Sequence, residues 1–470
     1  MVSVGGFAEK VGRVLEEWRT SRPPLGMPPR AVRVLVEVVR AAEEVKPSQH
    51  AKREVLRRYG LLGTSVDRVV TAVFYETMRR LGLLDRAAEE ITGVESVLIL
   101  DPWLRAALRT ALSLLLFHRL DEETRRALRW GVAALLSEKT HPYVGMYYWR
   151  LYPRLEEYTP RPRSETELLE WRYLMPGWLI EKIRGLLGPM EAEELLRALN
   201  EKPLLSVRVN TLKATVEEVV EELRRLGKSP VISRRVPVVV KFRGPFDFER
   251  SRLVREGKIV VQEEAAAAAS IILAPEPGMR VADLCAAPGG KTSHMAELMK
   301  LKGEIHAFDI DPLRIRRMRE ILRRTGTASI VRIHRMDARE APRLLGEETV
   351  DRVMLDAPCT STGTLMKNPE LRWRLRPEGL GGIVRLQREI LEAAVKLLKP
   401  GGRLLYTTCS LLPEENEENI KWLLDKHPEL RLIPLHGPYD ESPLLPGTMR
   451  AWPHRHGTIG FFYALLEKRG

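Results

Sequence analysis

The chain has three cysteines, Cys285, Cys359 and Cys409, and no two are spaced as CxxC or CxxH, so neither a zinc cluster nor a disulfide framework is indicated. Two of them are set apart by position. Cys359 in DAPC and Cys409 in TTCS lie 50 residues apart, each following a β-branched run that ends in polar residues. A thiol at a strand end is placed to react, whereas Cys285, inside the apolar LCAA segment, reads as a small buried hydrophobe. Three aspartates follow the same rule of placement: Asp309 closes GEIHAFD, Asp337 follows the next strand in RMDARE, and Asp356 closes VMLD. The stretch ADLCAAPGGKTSHM carries the letters GGKT, but a P-loop needs a glycine five residues before the GK glycine, and Cys285 stands there. A nucleoside triphosphatase is therefore disfavoured.

The elements that must position these groups begin at Lys258. RVADLCA, GEIHAFDI, ASIVRIH, TVDRVMLDA and GRLLYTTCS are short strands separated by helical stretches, which predicts an α/β fold with a doubly wound, Rossmann-like parallel sheet. Its first strand runs into the turn Cys285, Ala286, Ala287, Pro288, Gly289, Gly290 and Lys291. Asp309, 19 residues after Gly290, then stands at the tip of the second strand, where a carboxylate grips ribose hydroxyls. Asp309, Asp337 and Asp356 share one carboxyl edge, the ligand edge of such sheets. Carboxylates suit the hydroxyls and amine of an adenosine better than a pyrophosphate, and the turn lacks a strict GxGxxG, so S-adenosylmethionine is expected rather than NAD. Arg314, in DIDPLRIRRM, is a candidate for holding cofactor or RNA, or a solvated helix arginine.

Upstream, residues 1–160 read as an all-α domain and linker. In WLRAALRTALSLLLFHRL, Leu104, Ala107, Leu108, Ala111, Leu112, Leu115 and Leu116 recur at helical spacing. Pro153, Pro160 and Pro162 predict a break and a hinge in YPRLEEYTPRPRSE. Residues 161–257 read as a small α+β module and 258–470 as the parallel-sheet domain. The 470-residue chain carries a formal charge of +13, which favours a polyanionic partner, although ion-pair networks in a heat-adapted protein are the competing account. The segment MVSVGGFAEKVGRVLEEW lacks an apolar signal core, and the longest apolar run, AAAAASIILA, is too short to span a bilayer. A cytoplasmic protein without membrane or metal partners, acting as a monomer, is expected.

Taken together, DLCAAPGGKT, DAPCTSTGTLMKNPELRW and TTCSLLPEENE, with SVRVNTLK and VQEEAA before them, resemble the RNA 5-methylcytosine methyltransferases of the Fmu/RsmB and Nop/Sun family, from Ser206 to the C-terminus. The helical domain is similar to the NusB-like RNA-binding domain fused to some members. The resemblance implies methylation of carbon-5 of cytosine in ribosomal or transfer RNA. Cys409 would add to carbon-6 of the base, making carbon-5 nucleophilic, and Cys359 would assist proton removal and release. Asp356 would donate to ring N3, and Lys291 is a candidate for activating the Cys409 thiol. Cys285 to Lys291, Asp309, Arg314, Asp337 and Asp356 would line the cofactor site, and Arg208 and Asn210 of SVRVNTLK would contact RNA. One departure is Ile459, which stands before GFF where an acidic residue is expected. Two rival readings are an RNA-binding assembly scaffold with little catalysis, and an amino-group methyltransferase, which expects an NPPY-type motif where DAPC stands.

Overall fold

The computed structural model describes residues 11–13, 16, 20–45, 48–248 and 250–470. The segment MVSVGGFAEKVGRVLEEW, which lacks an apolar signal core, lies mostly outside them. The chain divides into two compact units, Met1–Lys182 with Pro369–Arg374, and Ile183–Asn368 with Leu375–Gly470.

The first unit is helical. Helix α1 (Pro29–Glu44), α2 (Leu81–Thr92) and α3 (Pro102–Phe117) build its core, and α3 starts where Asp101 accepts hydrogen bonds from the amides of Trp103 and Leu104. The apolar face read from the sequence is buried, but so are Arg105 and Arg109 on the same helix. Their charges are met by carboxylates from neighbouring helices: Arg105 Nε lies 2.8 Å from Glu43, and Arg109 pairs with Asp85 at 2.5 and 2.8 Å. Two sequence expectations need correction. Pro153 does not break the chain, because the helix Pro142–Glu157 runs through it, held by buried Tyr148, Leu151, Tyr152 and Leu155. Residues 161–182, assigned above to the α+β module, pack with the helical unit, where Trp171 is buried against Phe117 and Glu170 pairs with Arg86 at 2.6 Å. Residues 369–374 are built into the same unit. Trp373 Nε1 donates to Arg79 O at 2.8 Å, and its ring fills the space where a side chain at Gly82 would stand.

In the second unit, β1 (Leu205–Val209), α4 (Val216–Arg225), β2 (Val231–Ile232), β3 (Val239–Phe242) and β4 (Ile259–Val261) form an antiparallel module ordered β2-β3-β1-β4. Helix α4 opens on a capping box between Thr215 and Glu218, as TVEE would suggest. The chain then passes through α5 (Glu264–Leu273), β5 (Arg280–Asp283), α6 (Gly290–Leu298), β6 (Glu304–Asp309), α7 (Pro312–Thr325), β7 (Val331–Arg335) and β8 (Val350–Asp356). It continues as α8 (Leu380–Leu397), β9 (Leu398–Thr408), α9 (Glu417–Lys426), β10 (Leu430–Ile433), β11 (Asp440–Glu441), β12 (Met449–Ala451) and β13 (Phe461–Lys468).

Among the described residues these strands make a nine-stranded mixed sheet ordered β11-β12-β13-β9-β8-β5-β6-β7, with β10 on β13. The five strands from β9 to β7 are parallel, and β13 runs antiparallel to β9. The chain moves outward from β5 to β7 and returns to β8 on the other flank of β5, which opens a crevice at the carboxyl ends of β5 and β8. Ile459 is buried in the apolar core with Phe461 and Tyr463. No helix among the described residues is long and apolar enough to cross a membrane.

Candidate active site

The turn after β5 is shaped by its backbone. Gly289 caps α6 with φ +97°, and a Cβ there would come within 2.7 Å of Met318, so both conformation and space require glycine. The amide of Ala286 donates to Phe308 O at 2.9 Å, and that of Ala287 to Asp309 Oδ2 at 3.2 Å, tying the turn to the end of β6. Asp309 is only 5% exposed and also pairs with Arg314 at 3.3 Å. Arg314 donates as well to Ala287 O, so it braces the turn. Asp337 caps the turn after β7 and pairs with Arg339 at 2.7 Å. Cys285 packs against the sheet core, and burial pushes its thiol well up. Asp283, at the head of the turn, accepts from Thr292 Oγ1 at 2.8 Å through one oxygen, while Oδ1 is buried without a partner. Burial raises its carboxyl to about 7.

Across the crevice stand the thiols. Asp356 ends β8 beside Thr407 of β9, so the loops that follow, carrying Cys359 and Cys409, leave the sheet side by side. Their sulfurs are 3.4 Å apart, and both residues are half-buried. Lys291 Nζ lies 2.7 Å from Asp356 Oδ2, and Thr407 Oγ1 donates to Asp356 Oδ1 at 3.0 Å. The two thiols divide their proton unequally. The Cys359 thiol, Ser361 and the Lys291 charge draw Cys409 below the ordinary thiol range, against burial and the Asp356 charge. The hydrogen bond to Cys409, followed by burial, holds Cys359 well above it.

Several residues with no assigned role in the sequence reading hold these loops. Glu415, fully buried, accepts from Thr360 N and Gln387 Nε2 at 2.8 and 3.0 Å, and from Thr360 Oγ1 and Ser410 Oγ. Thr362 Oγ1 accepts from Leu411 N at 2.8 Å. Glu415 lies in PEEN and Asp283 in ADLCAA, so both were in view, but only the folded chain brings Glu415 beside Thr360.

Arg208 and Asn210 must be reassigned. Both are 0% exposed. Arg208 donates to Gln262 at 2.7 Å and Ser293 at 2.9 Å and pairs with Glu297, fastening β1 to α6. Asn210 Nδ2 donates to the carbonyls of Gly257 and Thr325 at 2.8 and 2.9 Å. Neither side chain faces solvent, so neither reaches RNA in this structure. Cations lie nearby instead, in a groove of about 990 Å³ lined by exposed Lys213, Arg255, Arg317 and Arg323, half-buried Arg324, and Glu256 and Glu320, which runs up to Pro288 of the glycine turn.

An adenosyl group fits the residues around the turn: a carboxylate at the end of β6, a buried unpartnered oxygen on Asp283, and a turn with no side chain at Gly289. With the doubly wound sheet, these features define a Rossmann-like methyltransferase that uses S-adenosylmethionine. Comparison with known proteins makes this specific. The family described as "16S rRNA methyltransferase RsmB/F" matches residues 270–467, and the RsmF/B-like ferredoxin-like domain matches residues 175–249. The ribosomal RNA small subunit methyltransferase B of Salmonella paratyphi B is 35% identical over 298 residues, 63% of this chain and 67% of that protein. The crystal structure of PH0851 is 54% identical, with a TM-score of 0.89 over 95% of this chain and 100% of that one. NSun6 from Pyrococcus horikoshii, solved with SFG, is 27% identical, with a TM-score of 0.57 over 62% of this chain and 98% of that one. The chain belongs to the RsmB/F family of RNA methyltransferases.

Proposed function

We propose that the protein methylates carbon-5 of cytosine in RNA through a covalent bond between Cys409 and carbon-6. The observation that carries this reading is the pair of sulfurs 3.4 Å apart at the carboxyl edge of the sheet, beside the Lys291–Asp356 pair. Asp309, Asp283 and the turn from Cys285 to Gly290 are the residues that would hold S-adenosylmethionine. When bound, it supplies a sulfonium methyl group to the carbon-5 that addition at carbon-6 has made nucleophilic.

The chain's own groups divide the remaining work. Cys409, held low in pKa, attacks carbon-6 as the thiolate. Asp356 and Lys291 supply the proton that ring N3 takes up as charge builds on the base. Cys359 keeps its proton chiefly because Cys409 is its hydrogen-bond partner. Once that sulfur is bonded to carbon, the restraint ends: Cys359 gives its thiol proton to solvent, and the thiolate so formed takes the carbon-5 proton while the electrons of that C–H bond expel Cys409 from carbon-6. The basic groove beside Pro288 follows the phosphate backbone, and the helical unit acts as a NusB-like RNA-binding domain. The relatives' names favour small-subunit ribosomal RNA over transfer RNA as the substrate.

The test is to incubate the Cys359→Ala protein with S-adenosylmethionine and total cellular RNA and run a denaturing gel. A persistent protein–RNA adduct is expected, and it disappears in the Cys359→Ala, Cys409→Ser double variant. No adduct from an RNA pool that the wild type methylates would overturn the division of labour. A wild type that methylates nothing would favour the scaffold.

A further inference from the structure

Ser361 is a non-glycine residue in the left-handed region, at φ 58° and ψ 26°, where a Cβ is disfavoured. The loop around it allows no relaxation. On one flank Thr360 is bound to Glu415 through both its amide and its hydroxyl. On the other, Gly363 N donates to Cys409 O at 2.8 Å, and Gly460 N donates to Gly363 O at 2.9 Å. A Cβ at Gly363 would stand 2.3 Å from Gly460 O, so these backbones are in direct contact. The Ser361 carbonyl itself accepts from Thr364 N and Oγ1, each at 2.9 Å. Unfavourable backbone that its surroundings over-determine collects at functional sites. Here it aims one group: Ser361 Oγ lies 3.4 Å from Cys409 Sγ and 3.9 Å from Cys359 Sγ.

We propose that Ser361 is a third member of the thiol site: its Oγ accepts from the neutral Cys409 thiol, and when that sulfur ionises the hydroxyl turns to donate to it and stabilises the thiolate. An ionised sulfur only accepts hydrogen bonds, and among the described residues the side chains already hydrogen-bonded to it that can turn a proton toward it are the Cys359 thiol and the Ser361 hydroxyl, which accepts from the sulfur while it is still a thiol. Lys291 adds field from its place on Asp356. Of these, Ser361 alone has no second task in the reaction: Cys359 is needed for release and Lys291 for the base. Its donation shifts Cys409 toward the thiolate before substrate arrives and receives the sulfur again when the adduct breaks. The inference rests on Cys409 being the reacting thiol.

The test follows chemistry at the sulfur itself. Wild type, Ser361→Ala and Ser361→Gly full-length proteins are alkylated with iodoacetamide across the thiol titration range, and modification of the Cys409 peptide is followed by mass spectrometry. Both variants lose the hydroxyl, and the glycine variant also relieves the left-handed backbone. The expected result is an upward shift of the pH midpoint in both, with alkylation at neutral pH slower by about tenfold. The glycine variant is expected to melt no lower than the wild type. Curves that superimpose on the wild type overturn the proposal. So does a shift in the alanine variant alone, because the cause is then the backbone and not the hydroxyl. A protein that shows the shifts but methylates no cytosine loses the functional reading and keeps this one.

Discussion

Arg208 and Cys409 both stand near the end of a strand among hydroxyls and carboxylates, yet only one of them has anything left to offer a ligand. Arg208 spends all three guanidinium nitrogens inside the protein, on Gln262, Glu297 and Ser293, and has no exposed surface. Cys409 is half-buried, and its bonding partners are another thiol and a serine held against its backbone preference. A polar cluster whose groups satisfy one another builds structure, whereas one that keeps a reactive atom poised and reachable builds a site. Residue type alone does not separate the two.

The sharpest way to break this contrast is Cys409→Ser. Methyl incorporation into RNA is expected to fall by about 10⁴-fold or more, with thermal unfolding unchanged. A lowered melting temperature with activity retained would move Cys409 to the structural side. Arg208→Ala should do the reverse, costing up to about 5 kcal/mol because Glu297 is left buried without its partner. Denaturant unfolding measures the loss, and RNA affinity below the melting range should stay within a few-fold of the wild type; selective loss of RNA binding in a stable variant would restore the contact role.

Asp283 tests the contrast through pH. Its carboxyl is raised from 3.8 to about 7 in the fold, so the folded state binds the proton more tightly than the unfolded one. Stability from this group is therefore present below about pH 4 and is lost as pH rises to about 7, a change of about 4 kcal/mol. Asp283→Asn removes that slope. Its stability relative to the wild type should climb across this window, and a difference that stays flat would show that Asp283 is already ionised in the fold. Smallest is Asp309→Asn, which would weaken the charged contact proposed for the ribose hydroxyls and should raise the cofactor dissociation constant about 10- to 100-fold by calorimetry. An unchanged constant would leave Asp309 as a brace for the turn alone.

The parallel sheet was legible because strands and helices alternate from Lys258 onward, and because Asp309 falls at the distance from Gly290 that a second-strand tip requires. Adjacent β8 and β9 bring Cys359 and Cys409 out of neighbouring strands. What stayed hidden depended on tertiary partners. In β1 every residue from Ser206 to Val209 is buried, so the usual alternation gave no sign of where Arg208 points. Glu415 acquires meaning only beside Thr360, 55 residues away. Pro153 suggested a break that buried tyrosines and leucines override.

Trp373 carries a consequence for how the chain is made. The slot at Gly82, the carbonyls of Arg79, Leu174 and Ala42, and the hydroxyl of Ser48 are met by Trp373, Arg372, Arg374 and Glu370. The first unit to leave the ribosome is therefore unfinished until residue 374 has been synthesised, and its contacts with this segment are among the longest in sequence. A fragment ending at Lys182 would carry an open slot, because the residue that fills it lies nearly two hundred positions further along the chain.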